Sequence, residues 1–101
     1  MTVWVDDMAR PARVGRNLGH WSHLFADTHD ELVAFARKLG LRREWIQHEG
    51  THREHFDVTS MVRRKALDYG AQPISYPRGT AELMARKRAA ASTTTPMEAP
   101  Q

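Results

Sequence analysis

The sequence predicts a small single α/β domain, with a short and mostly parallel sheet, two packed helices and a projecting basic helix near the carboxyl end. A run of β-branched and aromatic residues near the amino end predicts a strand, and two later stretches have helical spacing between a capping residue and a glycine. The chain has 101 residues, which leaves room for one hydrophobic core. We therefore expect a domain over residues 1–77, a basic helical extension over 78–91 and a disordered tail over 92–101.

The first predicted strand is short and ends in carboxylates. Residues 3–5 read Val-Trp-Val, which is typical of a buried strand, and Asp6 and Asp7 follow directly. The next stretch, residues 8–19, contains proline, glycine and asparagine and predicts a surface loop. Three arginines make this loop basic: Arg10, Arg13 and Arg16.

The first predicted helix has clear signals at both ends. Thr28 and Glu31 have the spacing of a capping box, in which the threonine hydroxyl accepts from a helix amide and the glutamate reaches back to the cap. Gly40 supplies the stop. Between them, apolar residues recur at helical spacing on one face: Leu32, Phe35, Ala36 and Leu39.

A second helix is predicted after Thr59 or Ser60, since either residue is a favoured N-cap, and it ends at Gly70. Arg64 and Asp68 stand one turn apart in it, which favours an ion pair between them.

Three further elements complete the predicted fold. We expect short strands near residues 44–47 and over 72–76, the latter beside the first strand. Thr80 is the expected cap of a third helix that runs to Ala91 and projects from the core. Basic residues gather near this helix: Arg78, Arg86, Lys87 and Arg88. Such clusters can attract nucleic acid or acidic surfaces, but a solvated loop and tail is the favoured explanation of either cluster taken alone.

The composition limits the chemistry that is available. With 41% hydrophobic and 27% charged residues, the chain has the make-up of a globular protein. It contains no cysteine, so a disulfide framework and a thiolate metal site are both excluded. A divalent metal would need His and carboxylate ligands. We expect a cytoplasmic protein with no membrane partner, because no apolar run approaches the length of a signal or membrane-spanning segment.

Two pairs of histidine and carboxylate stand before the two predicted helices. His23 and Asp27 precede the first helix, and His55 and Asp57 precede the second. Because helix amino ends are positively polarised and both lie at the ends of sheet segments, we expect the pairs to converge with the carboxylates that end the first strand. The predicted catalytic residues are His23, Asp27, His55 and Asp57, and the predicted metal ligands are Asp6, His23, His55 and Asp57.

Three uses of such a site compete. A divalent ion held by the His/Asp set would polarise a phosphoryl or carbonyl oxygen or activate water. Without a metal, a histidine oriented by a carboxylate would act as a general base. Amides at the second helix start, with nearby arginines, would hold a phosphate; the predicted ligand-binding residues are Thr59, Ser60, Arg63 and Arg64. The plain alternative is structural, with the same residues capping helices and forming ion pairs, because the His-x-x-His spacings match no specific metal signature.

Several fragments occur together in one order along the chain: Val3-x-Val5-Asp6-Asp7, Trp21-Ser22-His23-Leu24, Ala26-Asp27-Thr28, Trp45-x-Gln47, His55-Phe56-Asp57 and Gly70-Ala71. Over roughly residues 3–76 this joint pattern resembles the domain of unknown function 4031 family, an uncharacterised family of bacteria and phages. The resemblance implies a shared small domain and no transferable activity. Two positions depart from it: Phe56 stands where the family commonly has tyrosine, and Val33 where it often has histidine.

We therefore expect a His/Asp site, metal-assisted or not, that acts on or binds a phosphate-containing ligand such as a nucleotide or nucleic acid. The alternative is a non-catalytic module that binds nucleic acid or a protein partner through the basic loop and the carboxyl-terminal helix. A third hypothesis is an accessory subunit whose tail docks a larger protein. The first hypothesis requires the two His/Asp pairs to lie around one site.

Overall fold

The computed structural model of the protein describes residues 2–14 and 17–94; the side chains of residues 10–18 and 91–94 are left out of the description. The strands are β1 Val3–Asp6, β2 Arg10–Val14, β3 Asn17–Ala26, β4 Phe56–Thr59 and β5 Gln72–Ile74. The helices are α1 His29–Lys38, α2 Ser60–Asp68 and α3 Arg78–Thr94, with a short 3-10 turn at Arg43–Trp45. The predicted class, a small α/β domain, is confirmed.

The sheet is built around β3, which pairs antiparallel with β1, β2 and β4. The pairing of β1 with β5 is parallel, which agrees with the expected last strand beside the first. The prediction of a mostly parallel sheet is wrong. Three of the four strand pairings among the described residues are antiparallel, and for β2 and β3 the reason is that only two residues of sequence separate them, whereas parallel strands need a crossover of a dozen or more residues.

Three local predictions differ from the structure. Much of the expected surface loop over residues 8–19 is strand instead, because β2 occupies Arg10–Val14 and β3 begins at Asn17. The expected strand near residues 44–47 is wrong, since Arg43–Trp45 is a 3-10 turn and Gln47 makes a single bridge to His55. β4 was not expected. It continues directly into α2. The residues that signal the helix cap therefore give no indication of the strand that precedes it.

Both main helices begin and end where local signals place them. The Thr28 hydroxyl accepts from the Glu31 amide at 3.2 Å, and Gly40 follows α1 with a φ of +82°. The Thr59 hydroxyl accepts from the Val62 amide at 3.3 Å and caps α2. These contacts satisfy amides that have no partner within their helices.

The hydrophobic core lies between one face of the sheet and the helices α1 and α2. The fully buried strand residues on this face include Val5, Leu24, Ala26, Phe56 and Val58. Successive side chains of a strand point to opposite faces. The residues between them therefore belong to the second face of the sheet, among them Trp4, Asp6, His23 and Phe25.

The helix α3 packs on this second face. Leu83 is buried, the Thr80 hydroxyl donates to the Asp6 carboxylate at 3.0 Å, and Lys87 Nζ donates to the Ala26 carbonyl at 2.7 Å. The expected projection of this helix is therefore wrong for its first half. Of the expected disordered tail, residues 92–94 continue α3 and 95–101 lie outside the described residues. In the described part of the chain no helix combines the length and apolar character needed to cross a bilayer.

Candidate functional site

Three adjacent strands place polar residues in one row on the second face of the sheet. His23 of β3 is the direct partner of Asp57 of β4. Val5 pairs with Leu24, so one step further along the same register Asp6 stands beside His23. Directly opposite residues of antiparallel strands share a face, and so do residues two apart on one strand. His55 therefore joins the same face as Asp57.

The side chains of His23, His55 and Asp57 lie close together on this face; we call this group the triad. One ligand atom from each lies within 4.8 Å of the other two. Nε2 of His55 is 3.5 Å from Oδ1 of Asp57, and the two imidazole rings meet edge to face with centroids 4.9 Å apart. All three side chains are partly buried.

Asp6 lies behind His23 and has no exposed surface. Its carboxylate is 2.7 Å from His23 Nδ1 and also accepts from the Thr80 hydroxyl and the backbone amides of His23 and Met8. Burial raises the pKa of Asp6, but the hydrogen bonds from the His23 ring and amide outweigh burial, so the pKa is lowered overall. An ionised carboxylate only accepts, so His23 donates through Nδ1 and would use Nε2 toward a metal ion or a proton.

His55 is oriented in the same way by the backbone. Its Nδ1 is 2.8 Å from the Arg53 carbonyl oxygen. Because a carbonyl oxygen can only accept, Nδ1 is the donor and Nε2 faces Asp57. Both imidazoles of the triad are thus held through Nδ1 by an acceptor, which is the arrangement that orients histidine ligands in metal sites.

Aromatic rings surround the triad. The Phe25 centroid is 5.5 Å from that of His55, and the Tyr76 centroid is 5.8 Å from that of His23. His48 stands 5.8 Å from His55 by the same measure. Sequence reasoning missed Tyr76 and His48 as neighbours of the site. The alternation of His23 and Phe25 along β3 could have been recognised, whereas nothing local in the sequence indicates Tyr76.

The remaining predicted carboxylates lie elsewhere. Asp27 accepts from Trp4 Nε1 at 2.9 Å and from the Thr2 amide at 3.0 Å, so it joins the start of β1 to the end of β3. Asp7 accepts from the Tyr76 amide at 2.7 Å. The structure therefore brings together His23, His55 and Asp57, places Asp6 behind them and leaves Asp27 outside the group.

The predicted phosphate-binding residues form a separate feature. Ser60, Arg63 and Arg64 line a cavity of about 250 Å³ at the start of α2. Thr59 instead caps the helix, and Arg63 Nε donates to the Asp6 carbonyl at 2.8 Å. No member of the triad lines this cavity.

Two expectations about arginines have different outcomes. The expected ion pair between Arg64 and Asp68 is wrong, since the ion pairs within the described residues include neither side chain. The side chains of the expected basic loop, Arg10, Arg13 and Arg16, lie outside the described residues.

No curated protein and no solved structure matches the chain. One family model does, described as "Protein of unknown function (DUF4031)", and it matches residues 3–90. The match runs beyond the stretch of residues 3–76 on which the resemblance in sequence rests, and it includes most of α3 together with the whole triad and Asp6. The chain therefore belongs to the DUF4031 family.

Proposed function

We propose that this domain binds a divalent transition metal ion through His23, His55 and Asp57 and uses it on a phosphate-containing ligand such as a nucleotide. The observation that carries the proposal is the triad itself. Three ligand atoms lie within 4.8 Å of one another, and an acceptor holds Nδ1 of each histidine. Histidines of a surface cluster that binds no ligand do not require rings held in a fixed orientation.

The spacing and the donor types support a metal ion. Two ligands about 2.1 Å from a tetrahedral ion stand about 3.4 Å apart, and His55 Nε2 and Asp57 Oδ1 are 3.5 Å apart. Two imidazoles and one carboxylate suit zinc, manganese or iron(II). Three protein ligands also leave at least one position for water or a substrate oxygen, as in catalytic rather than structural sites.

The surroundings determine what such an ion would do. A bound ion would polarise a phosphoryl oxygen and lower the pKa of coordinated water. Asp6 would make His23 a stronger donor to the ion, because its negative charge stabilises positive charge on the ring. The rings of Phe25 and Tyr76 limit the water around the triad, and electrostatic interactions strengthen where water is excluded.

Metal binding is tested on the metal-free full chain by calorimetric titration with Zn²⁺ and Mn²⁺. We expect one ion per chain, with affinity reduced at least about tenfold in His55→Ala and in Asp57→Asn, since each loses a ligand. His20→Ala is the control, because His20 is an exposed histidine of β3, the strand that carries His23. Unchanged affinity in His55→Ala, or an equal loss in His20→Ala, would contradict the proposal.

The action on phosphate compounds needs its own measurement. We expect the metal-loaded chain to hydrolyse a nitrophenyl phosphate mono- or diester and to lose this activity in a chelator and in His55→Ala. If the ion binds at the triad but no phosphate ester is bound or hydrolysed, the metal part of the proposal stands and the phosphate part is wrong.

A second candidate function needs no metal. The 2.7 Å contact between Asp6 and His23 would orient the ring as a general base, in the way that a buried carboxylate orients histidine in hydrolases. This candidate predicts activity that survives a chelator and disappears in His23→Gln. The metal-dependent function predicts that activity is lost both in a chelator and in His23→Gln.

A further inference from the structure

A second concave feature lies outside the triad. It is a cleft of about 450 Å³ between α3 and the segment of residues 50–54, next to the start of α1. Its charged walls come from Asp27, Glu54, Arg86 and Lys87. Small-molecule sites in proteins have volumes of about 300–1,000 Å³, so the cleft has the size for a ligand.

The two carboxylates of the cleft already have partners within the protein. Asp27 accepts from Trp4 Nε1 and the Thr2 amide. Glu54 is buried and accepts from His29 Nδ1 at 2.9 Å and from the Gly50 amide at 3.2 Å. Both carboxylates are therefore partly compensated by hydrogen bonds within the protein.

The two cations of the cleft have no acidic partner among the described residues, since the ion pairs there include neither Arg86 nor Lys87. Arg86 stands over the Trp4 ring at 5.6 Å, and Lys87 donates to the Ala26 carbonyl. Burial lowers the pKa of the Lys87 ammonium, although Glu54 and Asp27 partly offset the effect. A partly buried ammonium that forms no close ion pair is stabilised when an anion binds beside it.

We propose that this cleft binds the phosphate group of a small molecule, with Arg86 and Lys87 as its cationic wall. Arginine and lysine are the residues that hold phosphate in proteins, the first through paired N–H groups and the second as a point charge. The choice of phosphate over another anion rests on the proposed function. Anion binding in the cleft does not depend on the metal ion.

The position of the cleft relates it to the triad. Glu54 directly precedes His55, and Asp27 follows His23 by four residues, which is about 13 Å along an extended chain. A molecule of nucleotide size can extend over this distance.

The test is a titration of the metal-free full chain with inorganic phosphate and with adenosine monophosphate. Phosphorus NMR and calorimetry monitor the binding. We expect saturable binding that weakens about tenfold in Arg86→Gln and in Lys87→Met, because each loses a charged hydrogen-bond donor. Arg88→Gln is the matched control, an exposed arginine of the same helix outside the cleft. Thermal unfolding of each variant shows whether a loss reflects misfolding, and Arg86→Gln, at an exposed position, keeps the test decisive if Lys87→Met does not fold.

Each outcome decides the inference. An equal loss in Arg88→Gln, or no saturable binding of either probe, overturns it. Binding of a single-stranded oligonucleotide without binding of either small probe also overturns it and favours an extended nucleic-acid surface. In His55→Ala we expect phosphate binding to persist while metal binding is lost. Phosphate binding that depends on Lys87, in a chain that binds no metal, would support this inference and contradict the proposed function. Metal binding at the triad without phosphate binding in the cleft would contradict this inference and support the metal part of the proposed function.

Discussion

At the scale of single residues, Asp6 connects three parts of the molecule. Its carboxylate accepts from the His23 ring on β3 and from the Thr80 hydroxyl on α3, and its carbonyl accepts from Arg63 on α2. A buried carboxylate is costly unless hydrogen bonds compensate it. Here four donors do so, and one of them is the histidine that the proposed metal would use.

The role of Asp6 predicts a specific loss in Asp6→Asn. We expect its zinc affinity to fall by about 10- to 100-fold, because outer partners of metal-bound histidines have effects of this size. The measurement is a competition titration with a chromophoric chelator. Thr80→Val removes one donor to Asp6 and leaves its contact with His23, so it should lose less; a larger loss in Thr80→Val would contradict the assigned role.

At the scale of elements, the alternation along β4 separates the chemistry from the core. Phe56 is buried in the core, whereas His55 and Asp57 on either side of it belong to the second face. Phe56, one of the two positions that depart from the family pattern, therefore lies on the core face of β4 and not beside the triad. Val33 lies on α1, which packs on the core face, so it too is remote from the triad.

Phe56→Ala tests this division of β4. We expect the free energy of unfolding to fall by about 3–5 kcal/mol, since the change leaves a cavity beside Leu24 and Val58. Urea denaturation followed by fluorescence measures the change. Met61→Ala is the control, because Met61 is exposed and should alter stability by about 0.5 kcal/mol or less. A small effect in Phe56→Ala would show that this face of β4 does not carry the core.

The start of α1 permits a second test at this scale. Thr28→Ala removes the hydroxyl that accepts from the Glu31 amide, and we expect a loss of about 1 kcal/mol in the free energy of unfolding. Thr28→Ser keeps the oxygen and should restore most of the stability. If alanine and serine at this position behave alike, the capping contact does not stabilise the helix.

At the scale of the whole molecule, α3 closes the second face of the sheet beside the triad. Thr80 contacts Asp6, Leu83 is buried in the middle of the contact, and Lys87 reaches the end of β3. The family match also runs through this helix to residue 90. The helix therefore belongs to the folded unit, contacts Asp6 behind the triad and forms one wall of the cleft.

Leu83→Ala should destabilise the whole domain by about 2–5 kcal/mol, the range for buried leucines. Chemical denaturation measures the loss, with Glu82→Ala at an exposed neighbouring position as the control. If α3 were an independent extension, both variants would unfold with the free energy of the original chain, and that result would contradict the packing of this helix.

Features that depend on interactions between residues close in sequence could be predicted, whereas features that depend on contacts between distant residues could not. The helices α1 and α2 were predicted because their signals, such as the Thr28 cap and Gly40, act over a few residues. The pairing of β3 with β4 joins residues more than thirty positions apart, and no local pattern encodes it. β2 and the first part of β3 were mistaken for a loop because glycine, proline and arginine weaken the strand signal without preventing pairing in the hairpin.

For the candidate site, the sequence by itself determined which residue types were present: histidines and carboxylates, no cysteine, and a family pattern that contains His23, Asp27, His55 and Asp57. Only the tertiary structure decided their arrangement. Strand register places Asp57 opposite His23 and brings Asp6 into contact with the His23 ring. Asp27 instead accepts a hydrogen bond from Trp4. The physical reason is that a shift of one residue in register moves a side chain to the other face of a sheet.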